Sequence, residues 1–189
     1  MDWVIKRNLM HIAVGIVIII LYVLLGKGYS SALFFAIFVL GTISQSMIRG
    51  NYRIPILEKV LKEVEKDVEY KDWRGLGAQM MVLGSLITVF FFPETVIIPT
   101  LLVLTFSDAI ASMVGRKIGS LTIIEGKTWI GSIAFFVTTF VIINLFFGIG
   151  AGIIVGLIAA LAELFPLPDD NVWVPLATAL ALTAFMPFV

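Results

Sequence analysis

The 189-residue chain has no cysteine, so disulfide frameworks and thiolate metal sites are both excluded. Charge is scarce as well: 14 % of residues are Asp, Glu, Lys or Arg, and the net charge is formally zero. What fills the chain instead is apolar. Hydrophobic residues make up 60 % of it, and the mean hydropathy is +1.07. A soluble domain of this length has no interior large enough to hide that much apolar surface. The apolar residues also fall in runs of about 17 or more, each long enough to cross a bilayer as a helix.

These runs predict an all-α, polytopic membrane protein of about seven transmembrane helices forming a single domain over residues 1–189. The helices are expected near 8–25, 31–48, 75–92, 95–114, 129–147, 149–166 and 173–188. The first follows Lys6-Arg7, as a secretory signal would, but no small-residue cleavage site comes after it and similar segments do. It therefore reads as a retained helix. Between the second and third helices lies a polar stretch, Arg49–Arg74. Leu57, Val60, Leu61, Val64 and Val68 recur there at helical spacing, as in an amphipathic helix on the membrane surface. A solvated connector without chemistry fits the same pattern.

The basic residues orient the chain. With the N-terminus cytoplasmic, twelve of them (Lys6, Arg7, Arg49, Arg53, Lys59, Lys62, Lys66, Lys71, Arg74, Arg116, Lys117 and Lys127) fall inside, and Lys27 alone falls outside. Every acid except Glu94 lands on the cytoplasmic side or in the adjoining half of a helix. No internal repeat is evident. Gly148, Gly152 and Gly156 give two overlapping G-x-x-x-G spacings, a pattern of close helix packing.

Three polar clusters gather at the cytoplasmic face. Asp108 follows Ser107 on the fourth helix, ~9 Å inside an end expected near Val114. A carboxylate at that depth costs a few kcal/mol unless it is paired or binds a cation. Asp108, Ala111, Ser112 and Gly115 form a small, polar stripe at i, i+3, i+4 and i+7, with room for a ligand or another helix. The second cluster is Gly115-Arg116-Lys117-Ile118-Gly119, continuing to Lys127-Thr128 and Gly131-Ser132. Glycines able to take positive φ, nearby cations and the start of the fifth helix together suggest a phosphate cradle. It is not a Walker A sequence: no G-x-x-x-x-G-K-[ST] occurs. The third is Glu163 followed by Pro166, Pro168, Asp169, Asp170 and Asn171, whose oxygens suit a hard cation such as Mg²⁺. Asp and Asn are equally ordinary turn residues and caps. Arg7 and His11, one turn apart on the first helix, form a lesser pair.

Taken together these residues resemble the membrane-bound CTP-dependent lipid kinases, including the polyprenol, dolichol and phytol kinases of the phosphatidate cytidylyltransferase-like superfamily. The resemblance rests on Ser107-Asp108-Ala109-Ile110-Ala111, Gly115–Gly119, Lys127-Thr128, Gly131-Ser132, Glu163, Pro166, Asp170-Asn171 and Pro175, with Arg7, His11 and Gly15 near the start. It runs from the first helix to the last, and the stretch Arg49–Arg74 carries none of it. The family often has a basic residue where Asn8 stands and an acid where Ile130 stands.

The resemblance implies transfer of the γ-phosphoryl group of CTP to a long-chain lipid alcohol in the cell membrane. Asp108 would bind Mg²⁺, with Asp169 or Asp170 as a second ligand. Arg116, Lys117 and Lys127 would hold the phosphates with Thr128 and Ser132, beside Gly115, Gly119 and Arg7. Asn171 would contact nucleotide or metal. Glu163 is a candidate for the acceptor hydroxyl, with His11 behind it. The partners implied are a lipid alcohol, a nucleotide and membrane lipids, with no nucleic acid; a homodimer stays open. Gly126-Lys127-Thr128-Trp129 also resembles CDP-archaeol synthases, so a cytidylyltransferase making a CDP-lipid is the alternative. A transporter or scaffold is a third reading, but transporters place polar groups at the midplane and both faces.

Overall fold

The computed structural model describes residues 3–49, 76–119, 121–124, 126–165 and 169–186. The expected connector helix in Arg49–Arg74, together with Glu125, Pro166 and Pro168, lies outside the described residues. Among the described residues the helices are five: α1 (Trp3–Arg49), α2 (Leu76–Phe91), α3 (Glu94–Ile118), α4 (Trp129–Leu164) and α5 (Asp170–Phe185). A small antiparallel hairpin of β1 (Thr122–Ile124) and β2 (Lys127–Thr128) joins α3 to α4. The chain is thus an all-α membrane protein with one short hairpin that apolar periodicity did not announce.

Two of the helices are folded back on themselves. The backbone of α1 leaves helical geometry at Gly26 (φ 71°, ψ 177°), and that of α4 does so at Gly148 (φ 80°, ψ 176°). Positive φ is open to glycine without steric cost, so each glycine is where the chain can reverse. In α4 the reversal brings Phe140 against Gly152 and Phe136 against Gly156, where an added Cβ would come within 3.0 and 3.1 Å of the rings. The glycine spacing therefore serves a turn at Gly148 and close packing at Gly152 and Gly156. In α1 the second half returns along α2: Lys27 Nζ donates to the Phe92 carbonyl at 2.8 Å, and Gln79 Nε2 donates to Thr42 Oγ1 at 2.6 Å. Divided at the two glycines, the five helices give seven helical segments, each antiparallel to the next.

Helix α3 sits at the centre: 61 % of its most apolar stretch is buried, against 17 % in α1 and 28 % in α4. Those three helices are long and apolar enough to cross a membrane, and α2 is a shorter apolar helix of 16 residues. Leu101, Leu104, Ile97, Val89 and Phe34 pack on one flank of the bundle, and Val103, Phe135, Ile143, Val155 and Leu182 on the other. Two contacts have no space for a side chain. At Gly15, α1 meets Thr105 of α3, and at Gly84, α2 meets the carbonyl of Asn171 at the start of α5. Glycine is required at both because a Cβ would occupy the neighbour's place. The second contact seats the start of α5 between its neighbours, and with it Asp170 and Asn171.

Candidate functional site

Antiparallel packing sorts the polar side chains. The α1 turn at Gly26, the α2–α3 connection and the α4 turn at Gly148 lie at one end of the bundle, beside the end of α5, where Thr95 Oγ1 contacts Met186 Sδ at 3.4 Å. The start of α4, the end of its returning half and the start of α5 meet at the opposite end. There the hairpin in α4 brings Glu163 back beside Lys127, 36 positions away in sequence.

Lys127 is the hub of that end. Its ammonium contacts Asp170 Oδ2 at 2.8 Å and Glu163 Oε1 at 3.1 Å, and it donates to the backbone carbonyl of Glu163 near the C-terminus of α4. A cation there also meets the negative end of the helix dipole. Burial acts to lower the Lys127 pKa, but the hydrogen bond and charge of Asp170, followed by those of Glu163, outweigh it and leave the ammonium above its ordinary range. Lys127 therefore stays charged. Ser132 Oγ stands 3.5 Å from Glu163 Oε2, at the outer limit of a hydrogen bond.

Asp169 precedes α5 and caps it, its Oδ1 accepting from the Asn171 backbone amide and from Asn171 Nδ2, both at 2.9 Å. Burial raises the Asp169 pKa; the two bonds from Asn171 oppose that, and the charges of Asp170 and Asp108 add to it. The charge of Asp108 likewise acts on Glu163 and Asp170, and of these carboxylates Glu163 and Asp170 are the two that Lys127 pairs. Among the described residues, no three His, Asp or Glu side chains converge tightly enough to hold a metal unaided. Mg²⁺ characteristically takes one or two carboxylates together with substrate phosphates and water, and the surplus of carboxylates suits that kind of ligation.

Asp108 itself is half-buried on α3. The helix continues to Ile118 rather than ending near Val114, so Asp108 lies about 15 Å from its end. The small-residue stripe beneath it is occupied by α4. Gly131 would place a Cβ 3.1 Å from the Ala111 carbonyl, Gly115 packs on Gly131, and Thr139 Oγ1 donates to Ser107 Oγ at 3.0 Å. Of the two uses the sequence left open for that stripe, helix packing accounts for Ala111 and Gly115.

The glycine-rich stretch differs from expectation in the same way. Gly115 lies within α3, and Gly119 caps it in extended geometry (φ −75°, ψ 114°). In this stretch Gly126, at the hairpin turn, is the described glycine with positive φ (83°). Gly115, Gly119 and Gly131 instead close around the Thr128 hydroxyl, which a Cβ on any of them would meet at 3.0 Å or less. Thr128 caps α4 by accepting from the Gly131 amide at 3.1 Å. The Gly119 amide donates to the Gly115 carbonyl at 2.9 Å, and the Trp129 amide to the Leu121 carbonyl at 3.2 Å. These three amides are already used, so they form no open anion cradle.

The remaining residues are placed as follows. Arg116 and Lys117 are exposed on the last turn of α3. His11 Nε2 bonds the Leu104 carbonyl at 3.0 Å, one helical turn from Asp108. Arg7 lies one turn before His11 on α1. The triad of Lys127, Glu163 and Asp170 was not read as a unit from the sequence, because residues 36 and 43 positions apart carry no spacing signal. The hairpin did leave a signal: Thr122-Ile123-Ile124, a Glu-Gly pair, then Lys127-Thr128 is a β-turn pattern.

Known proteins give this geometry a context. The chain is 31 % identical to an uncharacterized protein of Rickettsia prowazekii, covering 97 % of this chain and 95 % of that one. It is 28 % identical to a probable chloroplastic phytol kinase 1 of Oryza sativa over 93 % of this chain and 62 % of the rice protein. It is 29 % identical to CTP-dependent diacylglycerol kinase 1 of Schizosaccharomyces pombe over 70 % of this chain and 62 % of the yeast protein. The chain thus spans less than two thirds of the length of either of these kinases. No family model matches it, and no solved structure matches it significantly.

Proposed function

We propose that this chain, which is similar to a probable phytol kinase and to a CTP-dependent diacylglycerol kinase, is a lipid kinase of their kind and transfers the γ-phosphoryl group of CTP to the hydroxyl of a long-chain lipid alcohol. The alcohol oxygen forms a bond to the γ-phosphorus, the bond to the bridging oxygen breaks, and the products are a lipid monophosphate, CDP and a proton. The observation that carries the reading is the cluster at one end of the bundle. A charged lysine is held at 2.8–3.1 Å from two carboxylates contributed by separate helices, with Asp108 in electrostatic reach.

Phosphoryl transfer requires mainly positioning and charge neutralisation, and the cluster offers both. The three N–H donors of Lys127 are taken by Asp170 and by the side chain and carbonyl of Glu163, so Lys127 would reach a donor phosphate by exchanging one of these partners for it. Arg116 and Lys117 on the last turn of α3 supply further cationic contacts, and Ser132 and Asn171 offer hydrogen bonds. Thr128 and the three glycines around it hold Lys127 in place by fixing the start of α4. Asp108, with Asp169 or Asp170, would hold Mg²⁺ together with the donor's phosphates, where the ion would neutralise developing charge. Glu163 is assigned to the acceptor hydroxyl as proton acceptor. His11, bonded to the α3 backbone one turn from Asp108, is a positioning residue for that carboxylate.

In the same reading all seven helical segments span the membrane, with the N-terminus and the cluster on the cytoplasmic side of the cell membrane. The alcohol reaches the cluster sideways from the lipid phase, and the nucleotide reaches it from the cytoplasm. Purified protein incubated with Mg²⁺, CTP and a panel of lipid alcohols should yield a lipid monophosphate from at least one alcohol. A CDP-lipid formed from lipid phosphates, with no product from any alcohol, would replace the kinase by a cytidylyltransferase.

A further inference from the structure

The segment between α3 and α4 carries side chains that the Lys127 cluster does not use. Ile118, Leu121 and Trp129 are 63 %, 70 % and 58 % exposed, and Ile124 is exposed beside them. A hairpin with strands of three and two residues is marginal in water by itself, and apolar side chains facing water would not help it.

The exposed face of α4 shows what surrounds them. Trp129, Ile133, Val137, Val141 and Leu145 are all exposed and recur every four residues. Such a stripe extends about 24 Å along the helix, close to the thickness of the hydrocarbon core. Its last member, Trp129, is tied to the hairpin by the bond from its amide to the Leu121 carbonyl at 3.2 Å. Trp at the end of a membrane-facing stripe belongs at the headgroup boundary, where its ring is buried and its N–H is wet. The bond from the Trp129 amide sets Leu121 beside the end of the α4 stripe, and Ile118 and Ile124 are exposed apolar residues within three positions of Leu121. Charge at the same place has one predominant sign. From Gly115 to Trp129 the sequence holds Arg116, Lys117 and Lys127 against Glu125; Lys127 is turned to the cluster, and Arg116 and Lys117 are exposed.

We infer that the end of α3, the hairpin strands and Trp129 form an interfacial anchor that docks on anionic lipid headgroups. Ile118, Leu121, Ile124 and Trp129 enter the acyl boundary, and Arg116 and Lys117, which the proposed reaction uses when nucleotide is bound, meet the headgroup phosphates in its absence. Within the hairpin Ile124 pairs with Lys127 and Thr122 with Thr128. The lipid surface that holds the anchor thus also fixes where the Lys127 backbone stands. This inference depends on the membrane-spanning face of α4, not on the identity of the reaction.

The absence of cysteine allows a direct test. Leu121→Cys and Ile124→Cys, each labelled with an environment-sensitive fluorophore, are placed in nanodiscs of phosphatidylcholine containing a fixed small fraction of nitroxide lipid. The nitroxide sits near the headgroup of either phosphatidylglycerol or phosphatidylcholine. The anchor gives blue-shifted emission at both sites and quenching about twofold or more stronger from the anionic nitroxide lipid. Arg116→Ala with Lys117→Ala removes that preference and leaves the blue shift. Water-like emission without quenching overturns the inference. So does blue-shifted emission without quenching, which would mean that protein, either a second copy or residues 50–75, covers the hairpin. Equal quenching by the two lipids overturns the anionic preference.

Discussion

The two ends of the helical bundle are built from the same kind of helix and differ in what their turns hold. At one end the chain reverses at Gly26, at Pro93 and at Gly148, and among the described residues Lys27 and Glu94 are the charged side chains there. Lys27 is used to satisfy the Phe92 carbonyl. At the other end the turns bring together Lys127, Glu163, Asp169 and Asp170, with Asp108 a few turns inside α3. One end spends its few polar atoms on closing backbone; the other gathers more charge than closing backbone requires. Buried and half-buried carboxylates in surplus are costly unless they have a use, and that contrast is the ground on which the chemistry is proposed for this end.

The contrast can be broken by mutation at either end. The largest effect is expected at Asp108. Asp108→Asn keeps size and hydrogen bonding, and turnover should fall by at least about 10²-fold while the protein remains inserted and folded. Substantial activity in that variant would make Asp108 a packing residue and withdraw it as the proposed Mg²⁺ ligand. Next is Lys127→Ala, which strips Glu163 and Asp170 of their partner and should also cost about 10²-fold in kcat/KM. Lys117→Ala, on an exposed turn, should cost far less; equal small losses would reduce both lysines to determinants of topology.

A smaller effect separates architecture from chemistry. Gly84→Ala sets a methyl group against the Asn171 carbonyl, so it should lower stability by about 1–3 kcal/mol, visible as a depressed Tm, and displace the start of α5. An unchanged Tm would mean that α2 and α5 are not so close. The smallest effect should come from the opposite end. Lys27→Met should leave turnover within about twofold, since a single exposed or half-exposed polar contact contributes about 1 kcal/mol to stability and nothing to the site. A large loss of activity there would end the distinction between the two ends. The orientation itself is checked with single cysteines: Glu94→Cys should react with an impermeant reagent outside intact cells, and Lys117→Cys should react only after permeabilisation.

How much of this was legible in the sequence depends on the range of the interaction. Helical segments were readable because burial against lipid needs long apolar runs, and Gly152 and Gly156 announced their packing through local spacing, whereas Gly148, in the same pattern, is a turn. Asp108, Lys127, Glu163 and Asp170 could each be singled out because a charge inside or beside an apolar helix is expensive. Their assembly into one cluster could not, since it depends on the turn at Gly148 returning Glu163 to Lys127. The glycines at 115, 119 and 131 have the spacing of an anion cradle, and spacing does not reveal what fills the space beside a glycine. The structure fills it with the Thr128 side chain. The hairpin was missed because its strands are too short for periodicity to register.

The central claim is that the cluster moves the terminal phosphoryl group of CTP onto a lipid alcohol. It is tested most directly with CTP carrying distinguishable labels on the α- and γ-phosphates, purified protein, Mg²⁺ and a long-chain alcohol. The γ-label should enter the lipid and the α-label should leave in CDP. Entry of the α-label into the lipid, with the γ-label released in pyrophosphate, would contradict the kinase.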